Sequence, residues 1–485
     1  MTNKTAPFGG GAVDLTTGPI ARSLLMFSLP ALGSNVLQSI NGSVNAIWIG
    51  QFLGERGLAA TANANMITFM MISMVFGFGM ASTIVIGQAM GRKDVNAMRE
   101  AFGTGVAIFL ALGFFVAVTG WIFSPVLLRL LGTPDDAFPM ALIYLRWMFV
   151  GMPFMLLSTY LALALRSVGD SMTPLILMLP GLVIDIVLNP ILILGLGPAP
   201  RMGIAGSGLA TFIAGGVSVA ALLWAIYKRD LPIRLRGAEL RYLKPKPELT
   251  SVILRKGAPM GLQMIVMSLS AMVMIGMINA IGTAATAAYG AINQIWTYIQ
   301  MPAIAIGMAV SAMAAQNIGA KRWDRLSEIT RAGITINLGL TGALVLLTMM
   351  FDRAALGLFL PGADAAIDIG VRIGLLASWS FILMGVSAVL SAVMRANGVA
   401  VAPLIILIVA YIPGRLGAIY ALRPLIGDDA IWWSFPIGSA ISLALTGAYY
   451  KFGPWRQSRM IATVEEAEEF VQATADPAGR MMPND

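Results

Sequence analysis

The chain has 485 residues, of which 58% are hydrophobic and 12% are charged, with a mean hydropathy of +0.80 and a net charge of +8. A soluble domain carries about 25% charged residues, so this composition excludes a soluble protein and indicates a polytopic membrane protein. The chain contains no cysteine and no histidine, which excludes thiol nucleophiles, disulfides, His-ligated metal sites and histidine proton relays.

Long apolar segments follow one another along nearly the whole chain. Their Ala, Leu, Ile, Val and Met runs lack period-two alternation, which favours helices over barrel strands, and a spanning helix needs about 20 such residues. Twelve membrane helices, six in each half, are predicted at residues 20–48, 57–88, 101–126, 138–164, 172–197, 203–227, 253–281, 285–317, 332–351, 368–393, 400–423 and 431–451. The sequence therefore predicts an all-α membrane protein.

The polar segments divide the chain into two halves. We expect a cytoplasmic N-terminal tail at residues 1–19, an N-lobe at 20–227, a cytoplasmic linker at 228–252, a C-lobe at 253–452 and a cytoplasmic tail at 453–485. Within the last tail, residues 464–471 have the pattern of a short surface helix, but a solvated tail is the preferred interpretation.

The second half repeats the first. Gly79 and Gly307 stand 228 positions apart, as do Gln88 and Gln316. Duplicated halves are common in secondary transporters, where the substrate pathway lies between them. The segments Gln88-x-x-Gly91 and Gln316-x-x-Gly319 are expected to be helix ends capped by glycine.

The basic residues are distributed unequally between the two sides of the predicted membrane. Alternating the loops between the sides places 24 Lys and Arg on one side and 6 on the other. The positive-inside rule makes the richer side cytoplasmic, and an even number of spans places both termini there. The net charge is thus interpreted as a topology signal rather than as a nucleic-acid-binding surface.

Several motifs recur in a characteristic order. They are Leu29-Pro30-Ala31, Gln38, Val44–Gly50, Gly87–Gly91, Leu165–Asp170, Ile184–Pro190, Met202–Gly206, Leu209–Thr211 and Gln316–Ala320. Together they resemble the MATE (multidrug and toxic compound extrusion) family over about residues 15–455. The resemblance implies two six-helix lobes in a bacterial inner membrane that export cationic, amphipathic small molecules in exchange for H⁺ or Na⁺.

Asp185 is the acid that lies deep within a predicted span. An ionisable group at membrane depth is energetically costly and is a functional candidate by default, and burial favours the neutral form of a carboxyl group. Asn189 lies one helical turn away on the same face, and Pro190 frees the carbonyl of Ile186 as a further ligand. This arrangement favours a proton-coupling acid.

The resemblance extends this site to an N-lobe polar cluster. Position by position, the family's cluster matches Gln38, Asn45, Asp185, Asn189 and Thr211, although the family usually has an acid where this chain has Asn45 and the order Asn then Asp in the fifth helix. A hard cation prefers several oxygen ligands and more negative charge, so a single carboxylate suits H⁺ better than Na⁺. Na⁺ binding near Asp185 stays open, and no cofactor or other metal is expected.

The second half offers weaker candidates. No acid occurs between Glu248 and Asp324, whereas Arg415 lies within the eleventh predicted span, in register with Ile186 of the first half. Arg415 could pair with backbone carbonyls, contact a substrate anion or hold the C-lobe together. The remaining candidates are Asn63, Asn65, Asn293, Met264 and Met267 for a substrate cavity, together with Arg415, and the matching Pro30 and Pro259 for a hinge.

The combined expectation is a monomeric, proton-coupled multidrug exporter that works by alternating access of two lobes. The chain contains no Gly-Lys dipeptide and thus no Walker A loop, so an ATP-driven pump or another enzyme is not expected. Two alternatives are a flippase for lipid-linked oligosaccharides of the same superfamily and a passive channel or receptor.

Overall fold

The computed structural model describes residues 14–360 and 362–460, and thirteen α-helices make up most of this part of the chain. They are α1 (Ile20–Gly91), α2 (Val95–Leu130), α3 (Phe138–Ser167), α4 (Met172–Leu194), α5 (Ile204–Lys228), α6 (Pro247–Asn279), α7 (Thr283–Gly319), α8 (Trp323–Phe359), α9 (Asp364–Ala377), α10 (Ser380–Ala396), α11 (Val401–Val409), α12 (Arg415–Ile426) and α13 (Asp429–Phe452). Within the described ranges no strand occurs.

Helix α1 contains two membrane spans. Its 72 residues would extend about 108 Å as one straight helix, far more than the roughly 30 Å hydrocarbon layer. The helix is interrupted at Gly54, whose φ of 68° lies in the left-handed region that glycine adopts without a steric penalty. Gly54 therefore separates the first predicted span from the second.

The second half contains two broken spans. Helices α9 and α10 meet at a bend of 42° and together are long and apolar enough to form one span. Helices α11 and α12 continue into each other through a π-helical turn at Ala410–Gly414, which contains Pro413. Counting these pairs as single spans and α1 as two gives the predicted twelve, six from α1–α5 in the N-lobe and six from α6–α13 in the C-lobe.

Several predicted boundaries differ from the structure. Helix α1 runs on to Gly91, three residues beyond the predicted second span, and α6 begins at Pro247 rather than at residue 253. Proline is well tolerated in the first helical turn because its missing N–H would be unpaired there, so the polar residues before the apolar run also form helix. The predicted segment 464–471 lies outside the described residues.

The linker between the lobes is docked onto α2. Its 3₁₀ helix, Gly237–Leu243, carries Glu239, which pairs with Arg99 of α2. Arg99 also donates from Nε to the carbonyl oxygen of Pro232 at 3.0 Å. A Cβ atom at Gly103 would lie 2.5 Å from the carbonyl oxygen of Tyr242, so only glycine permits this approach. The predicted linker is thus an ordered segment on the N-lobe.

The hydrophobic core joins the lobes over part of their length. One buried cluster contains Phe109 and Tyr160 of the N-lobe together with Ile306 and Met394 of the C-lobe. A second cluster, which includes Trp296, lies in the C-lobe alone. The lobes therefore share one core where they meet, and the C-lobe has a second core of its own.

Candidate functional site

The candidate site is built around a carboxyl group buried in α4. Asp185 is 3% exposed, and α4 is otherwise apolar except for Thr173 and Asn189. The other buried acid in the described ranges is Asp170, which lies just before α4 and accepts a hydrogen bond from the backbone N–H of Thr173 at 2.9 Å. Asp170 lies outside the helix and bonds to its first turn, so Asp185 is the buried acid inside a span in the described ranges.

Glycines bring α5 close to α4. A Cβ atom at Gly206 would lie 2.6 Å from the carbonyl oxygen of Leu192, and one at Gly181 would lie 3.0 Å from the carbonyl oxygen of Ala214. Small residues at a helix crossing allow the two backbones to approach each other. This close crossing brings Thr211 of α5 against Asp185.

Three neutral side chains donate hydrogen bonds to the Asp185 carboxyl group. Asn41 of α1 donates to Oδ2 at 2.9 Å, whereas Asn189 and Thr211 donate to Oδ1 at 3.2 Å each. Asn189 is fully buried and also donates to the backbone carbonyl of Asp185 at 3.0 Å. The carboxyl group of Asp185, in α4, therefore accepts hydrogen bonds from side chains of α1, α4 and α5, and all three donors are uncharged.

Two acceptor atoms beside this carboxyl group have no partner in the described part of the chain. They are the Oδ1 atoms of Asn41 and Asn189, both buried. Buried polar atoms are nearly always hydrogen-bonded, so these two oxygens are acceptors available to a further donor. The site has spare oxygen acceptors but only one carboxylate.

The other predicted N-lobe residues lie near this cluster without bonding to Asp185. Asn45 accepts a hydrogen bond from Ser207 of α5 at 3.1 Å. Tyr144 of α3 is buried and interacts with both Asn45 and Asp185. Gln38 is exposed and contacts the sulfur of Met178 at 3.8 Å, so it lies at the edge of the cluster.

Sequence reasoning missed Asn41, which makes the shortest contact to the carboxyl group. The signal was present in α1, because Gln38, Asn41 and Asn45 follow each other at helical spacing of three and four residues and so share a face. Ser207 and Tyr144 carried no comparable signal, because isolated hydroxyl groups are common in membrane helices.

The residues predicted for a substrate cavity are spread over both lobes. Asn65 and Asn293 are exposed, and Asn63, Met264 and Met267 are partly buried. Within residues 14–360 and 362–460, no hydrogen bond joins any two of these five side chains. Arg415 is buried in the C-lobe. A cavity role for this set stays a prediction.

The two prolines predicted as hinges lie inside continuous helix. Pro30 in α1 and Pro259 in α6 are each flanked by helical residues, and the non-helical residue of α1 is Gly54. The hydroxyl of Ser34 donates a hydrogen bond to the carbonyl oxygen of Pro30 at 3.0 Å. The hinge role of the two prolines stays a prediction.

The lobes are held together at their Lys/Arg-rich end by a reciprocal pair of glutamines. Gln88 of the N-lobe donates to the backbone carbonyl of Ala396 at 2.8 Å. Its repeat partner Gln316 of the C-lobe donates to the backbone carbonyl of Ser167 at 2.9 Å. Gln316 also accepts a hydrogen bond from the backbone N–H of Leu15 at 3.1 Å. We call these two glutamine bonds the inter-lobe lock.

Two glycines beside the lock serve a different purpose from the predicted one. A Cβ atom at Gly319 would lie 2.7 Å from the carbonyl carbon of Gln88, and one at Gly91 would lie 2.8 Å from that of Gln316. The left-handed residues that follow these helices are Lys93 and Lys321. The prediction that the glycines cap the helices is therefore wrong, because the glycines are needed where the two lobes touch.

A small cavity of about 40 Å³ lies next to the lock. Its lining comes from both lobes and includes Thr83 and Arg166 of the N-lobe and Ser311 of the C-lobe. Both lobes therefore border one small space beside the lock, which has room for a few water molecules.

Comparisons with known proteins agree with this architecture. The profile of the MatE family matches residues 30–191 and 259–418, one segment in each lobe. The chain is 37% identical over 446 residues to the probable multidrug resistance protein YoeA of Bacillus subtilis (strain 168), across 92% of this chain and 96% of that protein. It is 24% identical over 428 residues to the multidrug export protein MepA of Staphylococcus aureus (strain MSSA476), across 87% and 92%. A crystal structure of MATE in complex with MaL6 has the same fold, with a TM-score of 0.83 at 21% identity over 94% of this chain and 98% of that one.

Proposed function

The chain belongs to the MATE family of multi-pass membrane transporters, and on this premise we propose that it exports cationic, amphipathic compounds across the bacterial inner membrane in exchange for protons. The names of YoeA and MepA, multidrug resistance and multidrug export proteins, support the general activity. The coupling ion is argued from the environment of Asp185.

The observation that carries proton coupling is a buried acid surrounded only by neutral groups. Asp185 forms no ion pair in the described ranges, and its hydrogen-bond donors are two amides and a hydroxyl. A buried carboxylate without a cation nearby is destabilised relative to its protonated form. Neutralisation by one proton matches the single negative charge of the site.

The same cluster accommodates both protonation states of Asp185. An ionised carboxylate only accepts hydrogen bonds, and the three donors satisfy it. A protonated carboxyl group must donate one bond, and the free Oδ1 atoms of Asn41 and Asn189 are acceptors beside it. On protonation, the Asp185 hydroxyl therefore donates to the amide oxygen of Asn41 or Asn189, where the amide N–H of that residue donated before. This reversal alters how α1 is held against α4.

The lock at the Lys/Arg-rich end supports an assignment of the conformational state. The positive-inside rule makes that end cytoplasmic, so lobes that meet there correspond to the outward-facing state. Coupling requires that the proton and the drug favour different states, because a ligand with equal affinity for both shifts neither. In this cycle, protonation of Asp185 from the outside changes the α1 contacts and promotes drug release.

The proposal is tested by ethidium efflux from proteoliposomes, driven separately by a pH gradient and by a Na⁺ gradient. Asp185→Asn keeps the shape of the side chain and removes the titrating group. Asp135→Asn is the matched control, because Asp135 is exposed in the loop between α2 and α3. We expect efflux driven by the pH gradient in the wild type and the control and none in Asp185→Asn. Efflux by Asp185→Asn at the wild-type rate would refute the role of this acid. Efflux by the wild type under the Na⁺ gradient alone would refute proton coupling.

A further inference from the structure

A guanidinium group is buried in the C-lobe without an acid to neutralise it. Arg415 is 7% exposed and lies in repeat register beside the position of Asp185. Its Nη1 atom reaches Ser270 Oγ at 3.5 Å, whereas its Nε and Nη2 atoms have no partner in the described residues. The ion pairs of these ranges all lie elsewhere. An uncompensated buried charge is costly, so it is retained for a reason.

The local fold makes room for this side chain. Arg415 follows directly on the π-helical turn Ala410–Gly414, and such turns are frequent at functional sites. A Cβ atom at Gly438 of α13 would lie 2.9 Å from Cδ of Arg415, so a larger residue there would displace the arginine. Two departures from regular helix packing therefore accommodate one guanidinium group.

Aromatic rings surround Arg415. The guanidinium carbon lies 4.0 Å from the ring centre of Phe435 and 5.2 Å from that of Tyr411. Phe435 in turn contacts Trp296 and Tyr289, at ring-centre distances of 5.3 and 6.4 Å. We call Tyr289, Trp296, Tyr411 and Phe435 the C-lobe aromatic cluster. Tyr411 and Phe435 are partly exposed, whereas Trp296 and Tyr289 are buried, so Tyr411 and Phe435 present the accessible ring surface beside the guanidinium group.

We propose that Arg415 binds the carboxylate of a flat aromatic substrate whose ring packs against Tyr411 and Phe435. The fork of an arginine side chain matches the two oxygens of a carboxylate, and the unpartnered Nε and Nη2 atoms are the donors for it. The inference rests on the proposed export function and makes Arg415 a specificity-determining residue for substrates that carry a carboxylate.

The test uses two dyes that differ only in the charged group. Rhodamine 110 carries a free carboxylate, and rhodamine 123 is its methyl ester. Efflux of each dye is measured from phosphatidylcholine proteoliposomes with the wild type, Arg415→Met and Arg423→Gln. Arg423 is the matched control, because it lies on the same helix and is exposed in a pair with Asp428. Folding of each variant is checked by size-exclusion chromatography and thermal unfolding, and Arg415→Met removes a buried charge that no acid compensates.

We expect Arg415→Met to lower the ratio of rhodamine 110 efflux to rhodamine 123 efflux at least about tenfold, the size of a lost charge-assisted bond, and Arg423→Gln to keep the wild-type ratio. Export of both dyes with an unchanged ratio in a folded Arg415→Met variant would overturn this inference and leave the proposed function standing. Export of neither dye by the wild type would count against the proposed function itself. A wild-type ratio that collapses when phosphatidylglycerol is added would assign the guanidinium group to a lipid phosphate and would also overturn the inference.

Discussion

The contact between Gly319 and the backbone of Gln88 predicts how one methyl group shifts the transporter between its states. In Gly319→Ala the new Cβ atom would lie 2.7 Å from the carbonyl carbon of Gln88, whereas ordinary contact begins at 3.4 Å. The atoms that meet there are backbone atoms of both helix ends, which cannot move aside by a rotamer change. The carbonyl oxygen of Gln88 would lie even closer to the new Cβ atom than the carbonyl carbon does, so the lobes must separate by more than about 0.7 Å. That movement strains the inter-lobe lock.

The size of the shift follows from the cost of overpacking. Inserting one methyl group into a tight contact costs about 1–3 kcal/mol, and this cost applies only in the state where the lobes meet. The equilibrium should then move towards the opposite state by about 5- to 150-fold. The variant should unfold at nearly the wild-type temperature once it has changed state, because the strain is released by that change.

A single cysteine reports this equilibrium, because the chain has none of its own. Ser311→Cys places the thiol in the small cavity beside the lock, where it is buried. Labelling with a membrane-impermeant maleimide from the Lys/Arg-rich side should be faster when Gly319→Ala is added. Gly307→Ala on the same helix is the control, because a Cβ atom there meets nothing within 4 Å. Equal labelling rates in all three proteins would refute the claim that this contact holds the lobes together.

Two further predictions concern single hydrogen bonds. Asn41→Ala removes a 2.9 Å hydrogen bond to the carboxyl group of Asp185, so it should weaken efflux driven by the pH gradient and lower the free energy of unfolding by about 1–3 kcal/mol. The control Asn35→Ala, on the same helix, should do neither. Equal stability and equal efflux in the two variants would contradict the role of Asn41. Tyr160→Phe removes a buried hydroxyl that lies 3.1 Å from Ser82 Oγ and 3.1 Å from the carbonyl oxygen of Phe102. Thermal unfolding should show a loss of about 1–2 kcal/mol of stability, and the preference between the two rhodamine dyes should not change. An altered dye preference would contradict a purely structural role for this hydroxyl.

The sequence was sufficient for the fold because the signals for it are repeated. Hydropathy located every span, and the offset of 228 residues between Gln88 and Gln316 predicted two equivalent lobes. The break at Gly54 was predicted as a gap between spans, whereas the structure continues the helix on both sides of a single left-handed residue. The boundary between two spans depends on whether the chain needs a loop to reverse its direction. Here one left-handed glycine, Gly54, makes the break without a loop.

The candidate site could be predicted only where its residues lie on one helix. Asp185 and Asn189 share a face by spacing alone, and Thr211 entered through the family resemblance. Asn41 was missed although it shares a face with Asn45, because its partner lies on another helix. Which of several polar residues in α1 faces α4 is decided by the helix crossing, and the crossing depends on glycines such as Gly206.

The inter-lobe lock was beyond sequence reasoning for a related reason. Gln88 and Gln316 were recognised as equivalent, but each bonds to the opposite lobe rather than to its own helix end. Periodicity describes one helix at a time and holds no information about which helix ends meet. The correct role of Gly91 and Gly319 follows only from the distance between the lobes.

The central claim is that Asp185 exchanges a proton for the drug, and the most direct measurement is proton release when ethidium binds to the purified protein in weakly buffered solution. The account predicts release of protons by the wild type and by Asp135→Asn, and no release by Asp185→Asn even when that variant still binds ethidium. Equal proton release by Asp185→Asn and the wild type would contradict the account, because another group would then carry the proton.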